Sequence, residues 1–228
     1  MSSSEGDTPR RPDREIAPRG RSRREERKQE TRTELISAAA RVFARGGFHG
    51  ASVEQIAAEA GYTTGAIYWH FSGKEDLFLA VYEAFAAGLA TDIEDVFAHG
   101  SGDLSERARE AARRWMDRVD RDPEFLILAH EFLVYAWRRP TLRAAFADRI
   151  ASIRLALSRV IAEEARAESR RLALPAEDIG TVMRALGSAL GLARLADPGA
   201  VRDDLFADVA ARLFEDVKRK EESLERSR

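Results

Sequence analysis

The chain is patterned for helices. Across its 228 residues no segment sustains the period-two alternation of apolar and polar positions that a half-buried strand needs, while apolar residues recur at helical spacing. Leu35, Ala39, Val42 and Phe43 fall at i, i+4, i+7 and i+8; Leu142, Phe146, Ile150, Ile153, Leu157 and Val160 hold one stripe for five turns. Start and stop signals agree with this period. A first helix from about Arg27 stops at Gly46-Gly47, and Ser52-Val53-Glu54-Gln55 has the S-x-x-Q form in which cap and N3 side chains satisfy each other's backbone donors. That second helix lasts to about Glu59. Gly61 permits a tight turn, Thr63 or Thr64 caps a third, short helix through Phe71, and Ser72-Gly73-Lys74-Glu75 reads as a capping box opening a fourth helix to about Ala98. After the break His99-Gly100-Ser101-Gly102, five more helices are expected near 104–120, 124–138, 140–169, 175–195 and 200–220, with Pro123, Pro140 and Pro175 at starts where a missing N–H is tolerated. The expected fold is all-α, nine helices in two modules.

Composition narrows the chemistry. A hydrophobic share of 44%, with 15 glycines and 7 prolines, excludes collagen-like and wholly disordered chains. The absence of cysteine excludes disulfide scaffolds, thiolate nucleophiles, iron–sulfur clusters and Cys-based zinc sites. Enzyme motifs do not emerge. His130-Glu131 begins an H-E-x-x-H pattern but position 134 is Val; Gly187-Ser188 lacks the G-x-S-x-G spacing; Gly73-Lys74 has no preceding P-loop glycine; Gly100 and Gly102 have Ser105 where a third glycine belongs. No catalytic residue, metal site or cofactor is expected. With no signal-peptide core near the start and no run of 18 apolar residues, the expected location is the cytoplasm, with no membrane partner.

The net charge of −2 is unevenly spread. Between Pro9 and Lys28 nine basic residues face four acidic ones, a surplus of five, within a stretch of Ser, Pro, Arg and Glu that offers almost nothing to bury. Residues 1–26 therefore read as a disordered basic arm able to attract phosphate backbones or an anionic membrane surface, and residues 221–228 as a charged tail.

Two short helices joined by a glycine-containing turn, with a third behind them, make a helix-turn-helix, whose second helix enters the DNA major groove. Ile67 and Phe71, four apart, would pack on Val53 and Ile56, leaving Tyr68, Trp69 and His70 on the other faces. That is too much aromatic surface for a purely solvated face. Hydroxyls and imidazole can bond phosphates or base edges, rings can meet thymine methyls, Gly65 permits close approach, and Lys74 adds a point charge. Alternatively, Tyr68 and Trp69 would cover the joint between two modules.

Ser52 through Phe78, SVEQIAAEAGYTTGAIYWHFSGKEDLF, closely resembles the DNA-binding domain of the tetracycline-repressor (TetR) family of bacterial regulators, with its pattern met at Ile56-Ala57, Ala60-Gly61, Gly65, Ile67-Tyr68, His70-Phe71, Lys74 and Leu77. The resemblance is specific over about residues 27–85. Residues 124–206 show a weaker likeness to the betaine-regulator (BetI-type) C-terminal domain, in EFLVYAWRRPTLRAAF and ALGLARLADPGAVRDDLF. What the resemblance implies is a homodimeric, usually repressing sensor, with a DNA-binding domain at 27–73 and a ligand-binding and dimerisation domain at 74–220, the fourth helix linking them. Its implied DNA contacts are Ser52, Thr63, Thr64, Gly65, Tyr68, Trp69, His70 and Lys74. One departure matters: residues 31–80 hold four basic against five acidic residues, so electrostatic affinity is expected mostly from the arm.

Farther along, Phe125 to Trp137 is apolar nearly all round and reads as a central buried helix, with His130 and Glu131 as its ionisable groups and Tyr135 one turn on. One expectation is a ligand pocket formed by His130, Glu131 and Tyr135, walled by Trp115, Met116, Phe146 and Met183. The alternative is a satisfied structural hydrogen-bond group. Wide apolar stripes near 179–191 and 205–217 carry Gly187 and Gly191, and the resemblance puts the dimeric four-helix bundle there, with Leu186, Gly187, Leu190, Val209, Leu213 and Val217 at the interface. Expected partners are double-stranded DNA bearing a pseudo-palindromic operator, a small and mainly apolar effector, and a second copy of the chain. The alternatives are an activator or ligand-independent regulator of the same fold and, more remotely, a protein-binding scaffold or a helical enzyme.

Overall fold

The computed structural model describes residues 23–215. Most of the expected arm, the end of the last helix with Val217, and the 221–228 tail lie outside the described residues. Among those described are nine α-helices and no strand: α1 (Arg23–Gly50), α2 (Val53–Ala60), α3 (Thr64–His70), α4 (Lys74–His99), α5 (Leu104–Arg121), α6 (Glu124–Trp137), α7 (Pro140–Ala167), α8 (Ala176–Ala196) and α9 (Leu205–Leu213). None is long and apolar enough to cross a membrane.

One hydrophobic core runs without a break from the first three helices into the rest. Leu35, Phe43, Phe48, Ile56 and Ile67 share it with Phe78 of α4, Phe132 of α6 and Phe146 of α7. The Phe78 and Phe132 rings stack 3.8 Å apart, and Phe48 meets Phe132 edge-on at 5.0 Å. Each of these rings is worth about 1.5–3 kcal/mol by burial alone, so the two modules are welded where α1, α4 and α6 cross. Two smaller clusters lie farther down the bundle. One joins Phe97, Leu104, Ile161, Ile179 and Phe214; the other joins Ala112 and Met116 of α5 to Phe206 and Ala210 of α9.

Four local expectations are corrected. Helix α1 begins at Arg23, so Arg23 and Arg24 ride on a helix rather than in a flexible arm. The capping box at Ser72 does not form: Gly73 is the N-cap, and the Ser72 N–H and hydroxyl both donate to Asp76, at 2.9 and 3.3 Å. Helix α9 starts at Leu205 because Asp197 turns the chain first, its carboxylate accepting the Gly199 N–H. Helix α6 is not buried all round. Leu126, Leu128, Phe132 and Ala136 face inward, but Ile127, Val134 and Trp137 stand outside, Val134 at 76% exposure and Trp137 at 62%.

Candidate DNA interface and internal cavity

The α2–α3 corner is built by short-range hydrogen bonds. The Ser52 hydroxyl accepts the Gln55 N–H at 3.2 Å and the Gln55 side chain accepts the Ser52 N–H at 2.9 Å, fixing the start of α2. Gly61 ends it in the left-handed region at φ 73, a conformation only glycine adopts without strain. Thr63 then caps α3 by accepting the Ala66 N–H at 3.3 Å. Ile67 is fully buried and Phe71 nearly so, which fixes the rotation of α3. The opposite face is consequently turned to solvent, with Tyr68 58% and Trp69 60% exposed and Thr63 and Gly65 beside them. Tyr68 and Trp69 do not cover a joint. Ser52 and Thr64 are half-buried at the helix starts, and His70 is half-buried between the rings of Trp69 and Phe71. Burial, followed by the charges of Lys28 and Arg32, holds the His70 imidazole below its ordinary pKa, so it is neutral near pH 7.

Charge counting included those two cations but did not place them beside this face. Lys28 Nζ lies 4.8 Å from the centre of the Trp69 ring and the Arg32 guanidinium 5.1 Å from that of Phe71. Their signal in the sequence was spacing: Arg24, Lys28 and Arg32 fall four apart on one face of α1. Arg41 and Arg45, by contrast, are both spent on Glu59, at 2.7 and 2.6 Å.

Lys74 has a structural task beside the phosphate contact expected of it. Its ammonium donates to the carbonyls of Phe48 and Ala51 at 2.9 and 3.0 Å and sits 4.6 Å over the Phe48 ring, satisfying carbonyls where α1 ends. That leaves one N–H for a phosphate. The same joint absorbs two of the expected pocket residues. Glu131 accepts the N–H groups of Phe48 and His49, and the Tyr135 hydroxyl donates to Glu75 Oε1 at 2.6 Å, so both tie α6 to the base of the N-terminal helices. His130 bonds Leu126 O through Nδ1 and Ser188 Oγ through Nε2, joining α6 to α8. Phe146 belongs to the aromatic core and Met116 to the α5–α9 contact. Five of the seven expected pocket residues, Met116, His130, Glu131, Tyr135 and Phe146, therefore lie outside the wall of the apolar cavity, and Tyr135 instead borders an open surface hollow with His49 and Trp137.

The cavity lies farther from α3. Leu89, Ile93 and Phe97 of α4, Ala108, Ala111, Ala112 and Trp115 of α5, Ile153 and Leu157 of α7, Met183, Arg184 and Gly187 of α8, Phe206 of α9 and Phe214 surround about 670 Å³ of atom-free space, part of it continuous with solvent. Its wall is apolar except at Arg184. Trp115 and Met183 are thus the expected pocket residues that line it. Gly187, assigned to a subunit boundary from sequence, belongs to this wall: its carbonyl accepts the Trp115 indole N–H at 3.0 Å, and a Cβ there would sit 3.0 Å from the Phe206 ring. Leu186 and Leu190 pack against the α5–α9 cluster and Leu213 against the Phe97–Phe214 cluster, while Val209 is half-buried. Outside α3, the large apolar residues left exposed are Ile127, Leu133, Val134 and Trp137 of α6, Leu155 of α7, Leu174 before α8 and Val182 of α8.

The arrangement defines an all-α helix-turn-helix protein, its α3 helix anchored to a helical domain with an apolar cavity. Residues 35–81 match the family model for bacterial regulatory proteins of the tetR family. Among curated relatives, it is 32% identical over 112 residues to the transcriptional activator FasR of Mycolicibacterium smegmatis, covering 48% of this chain and 51% of FasR. It is 33% identical over 128 residues to the transcriptional repressor NicS of Pseudomonas putida, covering 54% of this chain and 60% of NicS. The matches thus span about half the length of these relatives. With the regulator AcrR of Shigella flexneri the identity is 47%, over 55 residues, 24% of this chain and 26% of AcrR. Similar solved structures include the transcriptional regulator FadR from Bacillus subtilis in complex with stearoyl-CoA, with a TM-score of 0.62 and 17% identity over 80% of this chain and 96% of that one. The fatty acid degradation regulator FadR from Bacillus halodurans gives 0.63 and 17%, covering 81% of this chain and 94% of that one. These likenesses extend the shared fold across both modules.

Proposed function

We propose that this chain is a ligand-responsive transcription regulator that binds a pseudo-palindromic operator as a homodimer and is released by a small, mainly apolar effector. The observation that carries it is the exposed aromatic face of α3, with Tyr68 and Trp69 outside, Ile67 locked in the core and Lys28 folded over Trp69. Tyr68 and the Thr63 neighbourhood supply hydrogen-bonding groups and Trp69 an apolar surface for base edges, while Lys28 and Arg32 supply phosphate contacts. Two such helices about 34–36 Å apart would meet successive major grooves.

The effector reading rests on the cavity wall. A ligand shifts DNA affinity only through different affinities for two arrangements, and α4 links both ends: Leu89, Ile93 and Phe97 line the cavity while Lys74 holds the end of α1. For the dimer, the outward apolar residues of α6 and α8, which the His130–Ser188 contact makes neighbours, are the surface that a second copy would cover. The test is selection of bound duplexes from a random pool with the full chain. A recurring two-fold motif retained at physiological salt is the expected result; no retention of any duplex, even at low salt, overturns the proposal.

A further inference from the structure

A guanidinium in an apolar wall is costly to hold unless an anion accompanies it. The arginines of the C-terminal helices are mostly matched. Arg107 pairs with Glu164 and Glu168, Arg170 with Asp103 and Glu168, Arg154 with Glu177, and Arg194 with Asp120. Arg184 of α8 is the exception in the cavity wall. Among the described residues it forms no hydrogen bond or ion pair, and its Nε is shut off from solvent without a partner. Beside it in the wall are Leu89, Ile153, Leu157 and Met183, none of them a carboxylate. Its charge is felt inside the bundle: burial raises the pKa of the Tyr82 phenol, and the field of Arg184 opposes that rise.

We propose that the cavity takes an apolar molecule bearing one anionic group, with Arg184 bonding the anion while the apolar body lies against Leu89, Ile93 and Trp115. This rests on the effector reading of the cavity and adds the head group to it. Alkyl groups find apolar walls on every side, and the guanidinium supplies two or more N–H donors to one anion. Carboxylate, sulfate and phosphate head groups share this chemistry.

The experiment is calorimetric titration of the full chain with decanoate, decyl phosphate, decan-1-ol and decyltrimethylammonium, repeated with Arg184→Met and Arg184→Gln. At least one anion is expected to bind more tightly than the alcohol by about tenfold or more, as a hydrogen bond to a charged group would give, with the cation weakest. Arg184→Met should bring that anion down to the level of the alcohol and leave the alcohol unchanged; Arg184→Gln gives the same comparison with a polar side chain, should the Met variant fold poorly. An alcohol that equals both anions, an anion preference that survives both substitutions, or no binding by any of the four overturns the inference. Operator binding measured on the same preparations separates the two proposals. Release of DNA by decan-1-ol without any advantage for the anions defeats the role of Arg184 alone, whereas anion binding by a chain that retains no duplex defeats the regulator reading and leaves Arg184 in place.

Discussion

The carboxylate of Glu131 accepts the backbone N–H groups of Phe48 and His49, each at 3.0 Å, immediately after α1 breaks at Gly47. The break, with Gly47 at φ 66, leaves those donors without helical partners, and the glycine makes room for their acceptor: a Cβ on Gly47 would come within 2.8 Å of Glu131 Oε2. Glu131→Ala is therefore expected to cost about 1–3 kcal/mol, since two backbone donors, that of Phe48 part-buried, lose a charged acceptor. Gly47→Ala, strained in φ and crowded, should cost at least as much. Equilibrium urea denaturation checks both; a change within about 0.5 kcal/mol for either would contradict this account of the joint.

The second tie between α6 and the N-terminal helices is sensitive to acid. The Tyr135 hydroxyl bond, ahead of other causes, holds Glu75 below its ordinary pKa of 4.5. A carboxylate with a lowered folded-state pKa contributes stability that is fully present above its unfolded value and fades as pH falls through the folded one. The gap in Tm between wild type and Tyr135→Phe should thus be constant above pH 4.5 and close below it. A gap independent of pH from 3 to 7 would show that the pair is not ionic.

Particular residues show how much of this the sequence disclosed. Ile67 and Phe71 inside with Tyr68 and Trp69 outside follow from helical spacing alone, because that corner is held by contacts between near neighbours. The polar groups of α6 were equally visible, but not their partners: Glu131 reaches across 83 residues to Phe48, Tyr135 across 60 to Glu75, and His130 across 58 to Ser188. Periodicity carries no information about such pairs. Nor does an apolar helix announce that one of its faces stays outside, so Ile127, Val134 and Trp137 read as core. Arg184 escaped notice for a related reason: it sits beside Met183, and only the assembled wall of five elements shows that nothing answers its charge.

Gly187 and Val134 separate internal packing from subunit contact. Gly187→Leu should narrow the cavity, weaken effector binding and destabilise the fold through Trp115 and Phe206, without changing the oligomeric state. Val134→Glu should instead yield monomers of near-normal stability, because Val134 is 76% exposed in the single chain. Sedimentation velocity decides: monomers from Gly187→Leu together with dimers from Val134→Glu would return the interface to the stripe that holds Gly187.

Charge on α1 should govern salt dependence. If Lys28 and Arg32 each neutralise one phosphate, Lys28→Ala and Arg32→Ala will each lower the magnitude of the salt slope by about 0.9 and weaken all duplexes alike. Lys74→Met differs, since two of its three donors already serve the Phe48 and Ala51 carbonyls; its loss should appear first as reduced stability. Titrations at several salt concentrations distinguish these, and a slope unmoved by Lys28→Ala would remove that residue from the interface.

That α3 meets DNA through its exposed aromatic face is tested most directly by anisotropy titration of a selected duplex and a scrambled one with Tyr68→Ala and Trp69→Ala. Each should lose about 1–3 kcal/mol on the selected duplex, change little on the scrambled one, and melt like wild type because Ile67 and Phe71 carry the packing. Unaltered preference for the selected duplex in both variants, with folding intact, would contradict it.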